Sequence, residues 1–182
     1  NTNVEEPIKV DDSDKIKSDF ELTKSIIRNL SLNVKRNKII IKVIRDELEK
    51  KNPCLVFSCS VDHSRLLSAA LSYYGYNSSY IDCKMRKGSR KRVVEGFRSG
   101  KYDVLFNYGV LSTGFDAPRI RTIIITRPTT SIILHSQMVG RGLRGPLMGG
   151  GEYCNLIDIK DNFLNFGGVE DVYSFFDDYW EK

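Results

Sequence analysis

The stretch CLVFSCSVDHSRLLSAALSYYGYNSSYID, residues 54–82, decides the fold. It opens on a short apolar run, Cys54–Ser58, directly after Asn52-Pro53. An unbroken run bounded by a turn signal predicts a strand buried on both faces. Ser60 or Asp62 can cap a helix to about Tyr74, and Gly75 ends it. Ser79–Asp82 is the next strand. A strand, a helix and a second strand in this order predict a parallel crossover unit.

The same rhythm runs on downstream. Ser89 to Arg98 predicts a basic helix stopped by Gly100. Asp103–Asn107 (DVLFN) reads as a strand, followed by a Gly109–Pro118 loop. Thr122–Thr126 (TIIIT) is another strand, closed by Arg127-Pro128. Ser131 caps a helix expected to reach Leu143, before Gly145-Pro146 and the glycines at 149–151. Tyr153–Ile159 is the last strand, and the aromatic segment Val172–Trp180 reads as a closing helix. Upstream, Phe20, Ile26, Ile27 and Leu30 recur at helical spacing. Ile40, Ile44 and Leu48 place a second helix over about Asn33–Lys51. Residues 1–18 are polar and acidic and read as a linker or frayed N-terminus, leaving 19–182 as one domain. The expectation is an α/β fold: a mainly parallel sheet with helices on both faces, a three-layer sandwich. Ligands of such sheets sit at the carboxyl ends of the strands. The loops after Phe57, Asp82, Asn107 and Thr126 are therefore where function should lie.

Composition narrows the classes. Of 182 residues, 41% are apolar and 28% charged, which excludes global disorder. No apolar run approaches the roughly 20 residues of a membrane span. The acidic start is not a signal peptide, and a first residue of Asn rather than Met suits a piece of a longer chain. The net charge of +5 hides a segregation: residues 1–22 carry −4, residues 158–182 carry −5, and the body between carries +14. A basic body suits a polyanion such as nucleic acid or nucleotide phosphate, or else solvated helix faces. Four cysteines without a C-x-x-C, and only His63 and His135, argue against zinc and for reduced thiols in a cytoplasmic protein. His135 reads as packing and His63 as helix surface.

Two motifs are missing. A phosphate-gripping loop needs G-x-x-x-x-G-K-[ST]. Gly109–Phe115 has the glycine spacing but Phe in place of Lys, and Gly100-Lys101 is followed by Tyr. The acidic pair Asp46-Glu47 sits in a polar helix, unsuited to magnesium. The chain alone is expected not to hydrolyse nucleotide.

Two motifs are present. In Gln137-Met138-Val139-Gly140-Arg141-Gly142-Leu143-Arg144, the arginines are three apart and would share a helix face. Paired guanidiniums on one face can fork onto phosphate oxygens. Gly140 and Gly142 permit close approach, at a cost of about 1–2 kcal/mol in helix propensity. An ordinary helix end with surface arginines is the plainer reading. In Ser112-Thr113-Gly114-Phe115-Asp116-Ala117-Pro118, small hydroxyls and amides beyond a strand end can meet phosphates, and Asp116 can meet a ribose hydroxyl. A turn capped by Asp116 is the plainer reading there.

In this order the motifs resemble the second RecA-like domain of superfamily 2 helicases and translocases. Gln137–Arg144 looks like motif VI and Ser112–Pro118 like motif V. Leu55–Ser64 looks like motif IV. Arg90–Tyr102 (RKRVVEGFRSGKY) before DVLFN is similar to the segment preceding motif V. The resemblance covers about Pro53–Asp161. Gln137 and T-G-F-D depart from the DEAD-box pattern. They are closer to type III restriction subunits and repair-helicase-like bacterial proteins.

The resemblance implies an ATP site shared by two RecA-like domains. Arg141 and Arg144 would be arginine fingers, supported by Gln137, with Gly114, Asp116 and Gly140 near the nucleotide. ATP and its Mg²⁺ would be held mainly by an N-terminal RecA-like domain of the same full-length chain. Nucleic acid, DNA rather than RNA, would cross the top of the domain. Ser58, Ser60 and Thr113 would contact phosphates there, and Arg86, Lys87 and Arg90 would border the track. A stand-alone nucleic-acid-binding module without ATPase activity, and a small-molecule domain holding an anionic metabolite, are the alternatives.

Overall fold

The computed structural model describes residues 2–4, 24–110, 118–128, 132–141 and 151–161. The strands are β1 (Thr2–Val4), β2 (Cys54–Phe57), β3 (Ser78–Asp82), β4 (Val104–Tyr108), β5 (Thr122–Ile125) and β6 (Asn155–Asp161). The helices are α1 (Lys24–Leu32), α2 (Val34–Glu49), α3 (Val61–Tyr73), α4 (Lys87–Arg98) and α5 (Ile132–Val139). All strand pairs are parallel, in the order β1-β6-β5-β2-β4-β3. The expected α/β sandwich is therefore what the chain forms. Thr2–Val4 lies in the stretch read as linker; it adds a short edge strand beside β6. Among the described residues no helix is long and apolar enough to cross a membrane. The candidate residues Thr113, Gly114 and Asp116, the finger candidate Arg144 and the aromatic segment 172–180 lie outside the described residues.

Two cores flank the sheet. Alternate residues of the central strands point to opposite faces. Cys54, Val56, Val104, Phe106 and Ile124 meet α2 and α3 through Ile40, Ile44, Leu67 and Leu71. Leu55, Phe57, Leu105, Ile123 and Ile125 meet Phe97 of α4 and Met138 of α5. This double burial explains why β2 is apolar at every position and β5 from Ile123 onward.

Helix ends follow local chemistry. Asn33 separates α1 from α2, and its side chain accepts from Arg36 N at 3.0 Å. Ser60 caps α3 by accepting from His63 N at 3.0 Å. Gly75, at φ 84°, closes α3: its N–H donates to Ser72 O, and that of Tyr76 donates to Leu71 O. The expected helix to Leu143 ends earlier, at Val139. Gly140, the next residue, supplies the reason, since glycine disfavours helix interiors.

Candidate functional site

The carboxyl edge of the sheet is tied together one residue beyond the strands. Ser58 N donates to Asn107 O at 3.0 Å, joining the ends of β2 and β4. Thr126 donates to Phe57 O from both N and Oγ1, at 3.0 and 2.9 Å, joining β5 to β2. The loop Ser58–Ser60 therefore leaves the sheet from a fixed origin.

A buried polar network holds that loop from below. His63, at 1% exposure, accepts at Nδ1 from Cys59 N, 3.2 Å away. Its proton is thereby assigned to Nε2, which donates to Asn37 Oδ1 at 3.0 Å. Asn37 Nδ2 donates onward to Ser31 O at 2.8 Å, reaching the end of α1. Arg36 is fully buried, and its guanidinium donates to Thr126 O and to Cys59 Sγ. Burial, reinforced by the Arg36 charge, pushes His63 down to about 3 and keeps it neutral. His63 is thus a positioning residue and not helix surface.

Above the loop lies an open groove of about 580 Å³, bounded by α1, the start of α3 and the ends of β4 and β5. Lys24, Arg28 and Arg127 line it together with Ser60 and Tyr108. The Arg127 guanidinium sits 5.5 Å from the Tyr108 ring centroid, a cation–π geometry. Asp62 is the acidic lining residue, and it lies 3.6 Å from Arg65.

Of the residues expected to meet nucleic acid, Ser60 lines the groove half-buried. Ser58 is buried, its Oγ without a hydrogen-bond partner. Arg86 and Lys87 are exposed beyond β3, on the same sheet edge. Arg90 Nη2 donates to the carbonyls of Asp82, Cys83 and Met85 at 3.1–3.4 Å, so it shapes the β3–α4 loop. The described nucleotide candidates, Gln137, Gly140 and Arg141, lie elsewhere, on the sheet face covered by α5. Met138 turns into the core there, which leaves Gln137 and Gly140 exposed. Arg141 follows in the turn, half-buried, with its N–H on Met138 O at 3.3 Å. A Cβ at Gly140 would lie 3.2 Å from Ser136 O. Behind this helix, buried His135 meets Asp158 of β6 at 3.5 Å, consistent with packing.

Sequence reasoning missed Arg36, Asn37, Tyr108 and Arg127 as parts of the edge, and Lys24 and Arg28 as a wall above it. Arg127 follows a strand end and could have been found by the carboxyl-edge rule. Arg36 gives no such signal: a charged residue on a helix reads as solvated.

Comparison with known proteins agrees with this architecture. Residues 35–145 match the helicase conserved C-terminal domain family. IRC3 of Saccharomyces cerevisiae, described as an ATP-dependent helicase, is 32% identical over 124 residues, which are 67% of this chain and 18% of that protein. The Schizosaccharomyces pombe irc3, described as a mitochondrial ATP-dependent helicase, is 33% identical over 136 residues, 73% of this chain and 22% of that one. The chain thus spans about a fifth of these relatives. A variant of the C-terminal domain of S. cerevisiae Dbp5, solved with Gle1 and IP6, superposes with a TM-score of 0.59 at 18% identity, covering 79% of this chain and 80% of that one. With a RecA-like sheet and a family match over most of its described core, the chain belongs to the helicase conserved C-terminal domain family.

Proposed function

We propose that this chain is the C-terminal motor domain of an ATP-dependent helicase or translocase acting on nucleic acid. The observation that carries the reading is the end of α5. There an exposed Gln137 amide, the bare backbone of Gly140 and the Arg141 guanidinium follow one another outside the core. This donor set fits phosphate oxygens, with the amide and guanidinium as donors and glycine admitting close approach. In this reading the N-terminal RecA-like domain holds Mg²⁺ and supplies the phosphate-gripping loop.

ATP supplies the phosphoryl group whose transfer drives the motor. This chain's part is to bring positive charge to it. Arg141 and Arg144 would stabilise the charge that develops on the transferred group, and Gln137 would hold them in register. Gly114 and Asp116 would border the ribose. Fingers carried on a separate rigid domain make turnover depend on closure of the two domains. Nucleic acid, DNA in the first instance, would cross the carboxyl edge, touching Ser60, Thr113, Arg86 and Lys87, while buried Ser58 stays out of its reach.

The test uses the full-length protein. Arg141→Ala and Arg144→Ala are each expected to lower nucleic-acid-stimulated ATPase about 10³-fold or more, the range for arginine fingers, while thermal unfolding stays unchanged. Turnover at the wild-type rate in both variants would remove the finger assignment.

A further inference from the structure

Helix α1 lies outside the family match at residues 35–145, yet it forms one wall of the groove at the carboxyl edge. Ile26 and Leu30 bury its inner stripe, at 1% and 0% exposure. Its outer face presents Lys24 and Arg28, both exposed, one helical turn apart. Neither is in a salt bridge with an acidic side chain of the described residues. Across the groove stand Ser60 and the Arg127–Tyr108 pair. Leu32 and Leu66, at 58% and 42% exposure, add apolar surface between the two walls.

Cations on both rims with exposed apolar and aromatic surface between them suit a polymer of alternating phosphates and planar bases. Phosphates take the cations, and bases lie on apolar, aromatic or guanidinium faces. The groove is also continuous with the Ser58–Ser60 loop, which the helicase reading places under the strand. An acidic protein segment would satisfy the cations but gives no reason for that continuity.

We propose that α1, the Ser58–Ser60 loop, Tyr108 and Arg127 together hold a single-stranded segment of nucleic acid. Lys24 and Arg28 contact its phosphates, and the Arg127–Tyr108 pair faces a base. The proposal rests on the helicase reading and adds to it a wall supplied by α1.

The test measures binding of labelled oligothymidine to the full-length protein by fluorescence anisotropy, from 50 to 200 mM salt. Lys24→Ala/Arg28→Ala is expected to weaken binding about tenfold and to make the slope of log K against log salt shallower by about 1.4, two single-strand phosphate contacts. Lys38→Ala/Lys42→Ala, on exposed positions of α2, serves as the control and should bind as wild type. Lys24→Gln and Arg28→Gln, tested singly, keep the measurement decisive if the double variant folds poorly. Wild-type affinity and slope in the α1 variants overturn the groove and leave the helicase reading standing. Failure of the wild type to bind the strand at low salt overturns the helicase reading itself. Loss of polyglutamate binding with strand binding intact overturns the proposal in favour of a peptide site.

Discussion

Two buried ionisable residues, His63 and Glu47, serve opposite ends of the sheet. His63 is held neutral with its pKa near 3, against 6.5 for the free side chain. Acidification therefore favours the unfolded chain, which accepts the proton more readily. The stability this contributes is complete above about pH 6.5 and is lost as pH falls toward 3. His63→Gln should flatten the stability–pH curve between pH 6 and 4 by up to about 1.4 kcal/mol per pH unit, one proton's linkage. Denaturant titrations at pH 7, 6 and 5 measure this, and parallel curves for variant and wild type would contradict it. Glu47 is desolvated by burial, which raises its pKa. Hydrogen bonds from Lys50, Thr122, Asn52 and Asn155 outweigh that and hold it at about 2. Its contribution is present above about pH 4.5 and fades as pH falls toward 2. Glu47→Gln should cost about 2–3 kcal/mol at pH 7, because it leaves buried donors facing an amide. The difference from wild type should shrink in acid, and a constant difference down to pH 2.5 would refute the charge assignment.

Among the elements, α2 is the most informative. Its buried stripe, Arg36, Asn37, Ile40, Ile41, Ile44 and Glu47, contains three polar side chains. The isoleucines announce the helix from sequence alone, whereas the polar members look solvated until the sheet is in place. Each has at least one partner far along the chain: Arg36 at Thr126, Asn37 at His63, Glu47 at Thr122 and Asn155. Pairings this distant leave no local spacing to read. The end of α2 shows the limit in a second way. Lys51 stands at φ 61°, where α3 and α4 place Gly75 and Gly100. All three helices close with the same pair of backbone bonds, here Lys51 N to Leu48 O and Asn52 N to Glu47 O. Lys51→Gly should therefore stabilise the domain by about 0.5–1 kcal/mol, the left-handed penalty of a side chain less the added freedom of glycine when unfolded. A fall in the thermal midpoint would show that the lysine side chain matters there in another way. At the end of α5 the reverse applies: Gly140 was legible, and it follows the last helical residue where the arginine spacing suggested a longer helix.

At the scale of the molecule, the layers and the carboxyl edge of the sheet were legible because strand apolarity and turn residues are local. The candidate site was legible only in part. Motif order singled out the α5 end and the loop after β2 as candidates. The groove was not readable, since α1 belongs to no strand-to-helix unit and reaches the edge only through packing. The +14 body suits a polyanion or solvated helix faces when read as sequence, yet its arginines divide. Arg36 is fully buried, while Arg119 fastens Phe97 O and Tyr102 O at 3.0 and 2.9 Å. Charge counted along a sequence overstates the cation available to a partner by the number of guanidiniums spent on carbonyls.

The position of β2 has a mechanical consequence. It lies between β4 and β5, with four residues in register on each side. Tension applied to the Ser58–Ser60 loop along the strand axis loads both ladders in shear, so their bonds must fail together. The same tension on β3, paired on one side to β4, meets a single ladder. The sheet thus resists pulling along β2 more than along its β3 edge, and a pulling experiment anchored at Ser60 should meet more resistance than one anchored just beyond Asp82.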